Sequence, residues 1–211
     1  MRDKLNTVEK RVKLLLEEEG SGHDWLHIER VRNLAVYIGV KEGGHIEIIE
    51  LASLLHDLSD EKMNIMGQSE ITSWLSSIGF TRHETDQAIH IIETISFKGN
   101  GKTIPSTIEG KAVQDADRLD AIGAIGIARA FLYAGSKGHL LHLPKKNPRE
   151  TLTDQEYRQN PSTAINHFYE KLLKLSSLMN TNTGKELAKE RHEFMEFFLN
   201  QFYKEWEKPL C

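Results

Sequence analysis

Residues 51–62 read LASLLHDLSDEK, and this stretch decides how the chain is to be read. Its first five residues close an apolar run that starts near His45 and carries Ile46, Ile49, Leu51, Leu54 and Leu55 at the three- and four-residue spacing of a helix. Ending such a helix with His56-Asp57 puts two polar groups in an apolar setting, which is costly unless a partner satisfies both. A single cation can do so. Adjacent helical residues point about 100° apart, so the two cannot share a face in mid-helix, yet both can converge on an ion lying beside the helix end. Alone, a His-Asp dipeptide says little; other parts of the chain must supply the remaining donors.

Outward from this stretch the pattern is helical almost throughout, and it predicts an all-α, multi-helix bundle. Leu5, Val8, Val12, Leu15 and Leu16 mark an amphipathic first helix, stopped by Gly20 and Gly22. A second begins near Asp24, turns Leu26, Val31, Leu34, Ala35 and Ile38 inward, and stops at Gly43-Gly44. The third, about His45 to Leu58, contains the opening stretch. Further helices are expected near Ser69 to Ile78, Arg82 to Ser96, Thr107 to Asp120 and Ala121 to Ala134. Residues 135–160, with Pro144 and Pro148, read as a long loop of the kind that is often functional or mobile. Closing helices near Ser162 to Met179 and Gly184 to Trp206 read as packing elements, with Phe194, Phe197, Phe198 and Phe202 as a core stripe. One domain over 1–211, with a core of about 22–130, accommodates all of this.

Composition narrows the partners. A hydrophobic fraction of 39%, a charged fraction of 27% and a net charge of −4 describe an ordinary globular chain, without the basic face of a nucleic-acid-polymer binder. Cys211 is the one cysteine, so neither a disulfide framework nor a thiolate metal site is available within the chain. No stretch approaches the roughly 20 apolar residues of a membrane span, and the charged N-terminus lacks a signal peptide's apolar centre. The expectation is a cytoplasmic protein in a reducing compartment, with no membrane partner.

Two further segments bear the chemistry. His27 lies one turn into the second helix, after Gly22-His23-Asp24-Trp25. Residues 113–121, VQDADRLDA, set Asp115, Asp117 and Asp120 among Val113, Ala116, Leu119 and Ala121. At least one of these carboxylates is expected to face inward, where it needs a cation or several donors. Asp115 and Asp117 fall on nearly opposite helix faces, so only one of them should reach an ion. For Asp115 and Asp120, salt bridging or capping is the preferred role. Imidazole and carboxylate without thiolate suit Mn, Co, Ni, Fe, Mg or a non-structural Zn.

The order H…HD…D, with DWLHIERV at 24–31, LLHDLSDEK at 54–62 and DADRLDA at 115–121, resembles the HD-domain superfamily of metal-dependent phosphohydrolases. The likeness covers about Gly22 to Arg129, and the whole chain resembles short, stand-alone bacterial members, some of them nucleotide pyrophosphohydrolases. The resemblance implies one divalent ion, foremost Mn, held by His27, His56, Asp57 and Asp117. Asp117 is chosen because related proteins place this ligand just before a basic residue and Leu. Such an ion polarises a phosphoryl oxygen and lowers the pKa of a bound water. Asp60, with Glu61 as runner-up, occupies the position where related hydrolases orient that water. Lys62, His90, Lys98, Arg118 and Arg129 are candidates for holding phosphate.

The function so implied is hydrolysis of a small phosphorylated substrate, a nucleotide, foremost with release of pyrophosphate from a nucleoside triphosphate. A 5′-nucleotidase or phosphodiesterase of the same fold, and a non-catalytic metal-binding sensor or interaction module, stand as alternatives. A homodimer is compatible with all of them. His139 and His142 lie in the long loop, where no spacing rule supports a metal role, and the sequence leaves open whether that loop is a lid.

Overall fold

A computed structural model describes residues 1–17, 24–59, 65–95, 103–149 and 162–207. Among them every regular element is helical. In order these are α1 (Arg2–Leu16), α2 (Trp25–Glu42), α3 (Ile46–Leu55), α4 (Gln68–Ser77), α5 (Arg82–Ile95), α6 (Ile108–Asp120) and α7 (Gly123–Ser136). A segmented helix, α8, follows over residues 164–178, and α9 (Asn182–Glu207) closes the described chain.

The helix ends follow from local chemistry. Asp24 caps α2, its carboxylate accepting from the His27 N–H at 2.8 Å, and Gly43 ends the helix at φ 79, a left-handed conformation that glycine adopts without steric cost. Thr107 caps α6 through the Gly110 N–H at 3.1 Å. Between α6 and α7 the chain bends by 67°. A Cβ at Gly126 would lie 2.2 Å from the Ala121 carbonyl oxygen, so only glycine allows so tight a corner.

Two apolar cores share α3. Ile48, Ile49 and Ala52 pack with Val31, Ala35 and Ile38 of α2, Ala112 and Val113 of α6, Phe168 of α8 and Leu199 of α9. Leu51, Leu54 and Leu55 face the other way, onto Leu5, Val8 and Val12 of α1, Leu75 of α4 and Ala88 of α5. Every residue from Ile48 to Leu55 is buried, Glu50 among them, its carboxylate held by Arg2 and Arg32. Helix α6 packs chiefly on α2, while α9 lies across α7, α6 and α2.

Several expectations need correction. Leu26 is 55% exposed rather than inward. Helix α3 ends at Leu55 and not Leu58, leaving His56 and Asp57 in the turn that follows. Phe194 and Phe197 are exposed, and only Phe198 and Phe202 of the aromatic stripe pack on the core. The helix expected over Ser162 to Met179 is broken by a wider, π-type turn at Phe168–Leu172. There Glu170 is buried and accepts from Arg149 Nε at 2.9 Å and Nη2 at 2.8 Å. With Ala164 N–H on the Leu140 carbonyl at 2.9 Å, this pins much of the expected loop to α8. His142 sits among Phe202, Tyr203 and Trp206, with ring centroids 5.0–5.7 Å away. No single described helix is long and apolar enough to cross a membrane.

Candidate metal centre

Three elements meet at one point. Helix α2 brings His27 from its first turn, the turn after α3 brings His56 and Asp57, and α6 brings Asp117 and Asp120. The capping bond from Asp24 to the His27 backbone fixes where the α2 imidazole starts. The side chain of His27 is fully buried, and those of His56 and Asp57 nearly so.

Both imidazoles are held by the nitrogen remote from the centre. His56 Nδ1 donates to the Ser53 carbonyl at 2.8 Å, and His27 Nδ1 donates to Asp120 Oδ2 at 2.8 Å. That leaves each Nε2 turned to the common point, 3.3 Å from the other. Asp57 stands against both, with Oδ1 3.3 Å from His56 Nε2 and Oδ2 3.4 Å from His27 Nε2. Asp117 Oδ1 lies 3.6 Å from His27 Nε2, with its side chain 38% exposed, so it forms the outer side of the group. Donor atoms of His27, His56 and Asp57 all fall within 4.8 Å of one another.

Two lone-pair nitrogens and two carboxylates crowded together repel unless a positive charge sits among them. The spacing fits a metal ion. Ligand atoms about 2.1 Å from one ion stand roughly 3.0 Å apart at a right angle and roughly 3.4 Å apart at the tetrahedral angle, which brackets three of the four separations found. Protonation reports the same demand for charge. Burial lowers the pKa of His27, but hydrogen bonds with Asp120 and Asp57 outweigh it and leave it raised to about 9. Burial likewise disfavours an ionised Asp120, yet His27 and Arg30 hold its pKa well below the usual carboxylate range.

The phosphate-binding candidates are placed differently. Arg129, on α7, donates from Nη1 to Asp120 Oδ2 at 2.7 Å and so stands directly behind His27. Arg118 is buried, and its Nη1 donates to the Leu178 carbonyl, tying α6 to the end of α8. The 100° step from Asp117 turns it off that residue's face. His90 is exposed on α5, its Nε2 3.5 Å from Ser106 Oγ, and no contact joins it to the cluster. Asp60, Glu61, Lys62 and Lys98 lie outside the described residues. Arg30 was missed, as was the contact of Asp120 with His27. The signal was there in part, since Asp117 and Asp120, three apart, share a helix face, as do His27 and Arg30.

Comparison with known proteins places this geometry in context. Residues 25–122 match the HD domain family. YpgQ of Bacillus subtilis, an uncharacterized protein, is 46% identical over 199 residues, covering 92% of this chain and 89% of that one. The structure of YpgQ in complex with ADP is similar at a TM-score of 0.78, covering 95% of this chain and 97% of its own. A Lactobacillus plantarum protein is similar at a TM-score of 0.87 and 39% identity, covering 98% of both chains. An HD-superfamily hydrolase from Bacillus thuringiensis is similar at a TM-score of 0.78 and 43% identity, covering 99% of both.

Proposed function

This chain belongs to the HD-domain superfamily of hydrolases, and from that premise we propose that it is a phosphohydrolase holding one divalent ion on His27, His56, Asp57 and Asp117. The observation that carries the reading is the convergence of two Nε2 atoms and the Asp57 carboxylate within 4.8 Å, each imidazole anchored by its other nitrogen. The substrate is a nucleotide and the bond a phosphoanhydride, foremost that between the α- and β-phosphates of a nucleoside triphosphate. The ADP bound by YpgQ supports a nucleotide ligand for so similar a chain. Mn leads among the ions, because imidazole and carboxylate without thiolate suit it, as they do Co, Ni, Fe, Mg and Zn.

When bound, the ion supplies Lewis acidity toward a phosphoryl oxygen and a water of lowered pKa. The protein's part is to hold the donors and steer the proton. His27 and His56 present Nε2 because Asp120 and the Ser53 carbonyl occupy their Nδ1 atoms. Asp117 is the proposed ligand on the exposed side of the group. Asp60 remains the proposed base for the attacking water, with Glu61 beside it in sequence.

The test is to incubate purified protein with Mn, Co, Ni or Mg and a panel of nucleotides, separating phosphate from pyrophosphate by chromatography. Pyrophosphate and monophosphate from a triphosphate are expected. Inorganic phosphate from monophosphates would move the assignment to a 5′-nucleotidase. No turnover of any nucleotide at full metal occupancy would favour a sensor.

A further inference from the structure

Two carboxylates of α6 address the two nitrogens of one imidazole. Asp117 Oδ1 is 3.6 Å from His27 Nε2, while Asp120 Oδ2 is 2.8 Å from His27 Nδ1, on the ring edge remote from Asp57. Asp120 is itself gripped. Arg30 Nε meets its Oδ1 at 2.6 Å, Arg30 Nη2 its Oδ2 at 3.0 Å, and Arg129 Nη1 its Oδ2 at 2.7 Å. We propose that Asp120 is the positioning residue of the metal centre and that Arg30 is its clamp. The inference rests on the metal centre proposed above.

The physical need is specific. A histidine ring tied to nothing at Nδ1 can rotate about its side-chain bonds or change tautomer, and either removes Nε2 from the ion. A carboxylate on Nδ1–H fixes both and makes the ring a stronger donor. Asp120, however, is a short acid one imidazole away from a cation site, and an unrestrained carboxylate could turn and ligate the ion directly. Arg30 prevents this because its planar fork engages both oxygens at once, a geometry lysine could not reproduce. His27 and Arg30 lie three residues apart on α2, as Asp117 and Asp120 do on α6. The two helices therefore clasp each other through one imidazole, one fork and two carboxylates.

Asparagine at position 120 separates this role from mere space filling. Its single oxygen can serve His27 or Arg30 Nε, but its amide N–H groups then face a donor on the other side, so one partner must let go. The experiment titrates metal-free wild type, Asp120→Asn, Arg30→Gln and a His56→Ala control with Co2+, followed by its visible ligand-field bands, and with Mn2+ by electron paramagnetic resonance. The wild type is expected to take up one ion and His56→Ala to bind far more weakly. Asp120→Asn should bind about 10–100-fold more weakly, with an altered Co2+ spectrum. Arg30→Gln should shift in the same direction by less, and it carries the test should Asp120→Asn fail to fold. If the wild type binds no metal, or His56→Ala binds as well, the centre itself falls. If wild type and control separate while Asp120→Asn and Arg30→Gln keep wild-type affinity and spectrum, the positioning role alone is overturned.

Discussion

Asp115 and Asp57 are both buried carboxylates, and what faces each of them differs completely. Asp115 accepts from Asn180 N and Nδ2 at 2.8 Å each, and from Thr181 N at 2.8 Å and Oγ1 at 2.7 Å. Every lone pair it needs to share has a donor supplied by the two residues just before α9. Asp57 instead faces the Nε2 atoms of two imidazoles, and its hydrogen bond with His27 helps raise that ring's pKa, with Asp117 close by. Burial of an acid therefore says little about function. A carboxylate completed by backbone and side-chain donors is a fastener, whereas one grouped with two imidazoles and a second carboxylate is placed to share a cation with them.

Breaking the second kind of contact should cost most in activity. Asp57→Ala is expected to reduce turnover to background and to remove bound metal, as read by assay and elemental analysis; retained metal and activity would erase the distinction. Asp115→Ala strips an acceptor from four donors and should cost about 3–5 kcal/mol. That lowers the melting temperature by about 10 °C in a chain of this size, while metal stoichiometry in the folded fraction stays unchanged. The contrast is sharpened by pH. With His27 raised from 6.5 to about 9, its contribution to the stability of metal-free protein is fully present below 6.5 and lost as pH rises through about 9. Metal affinity runs the opposite way over that window, because the ion must displace the His27 proton. Melting curves and Mn2+ titrations from pH 6 to 10 would show the crossing trends. Thr107→Ala, which removes the α6 cap, should cost about 1 kcal/mol and leave metal content unaltered.

The sequence was legible where structure is decided locally. Asp24 and Gly43-Gly44 bounded α2 because capping and left-handed geometry are properties of a few adjacent residues. His56-Asp57 stood out because a polar pair closing so apolar a helix demands a partner. What could not be read was pairing across the chain. Nothing near Glu170 announces that Arg149 will bind it, so the widened turn of α8 was invisible to periodicity. Arg118, a phosphate candidate by sequence, has its Nη1 on the Leu178 carbonyl, 60 residues on, a contact no local pattern signals. Asp120 was rightly expected to form salt bridges, yet its hold on His27 depends on α2 and α6 lying side by side.

Helix α3 has no face to the solvent, and the two cores that grip it belong to different sets of helices. Its far end is where His56 and Asp57 emerge. A loosened contact in either core, for instance at Val8 or at Phe168, would tilt that rod and change the gap its tip must span. Cation affinity in this protein would then act as a strain gauge, registering distant packing defects before the fold gives way.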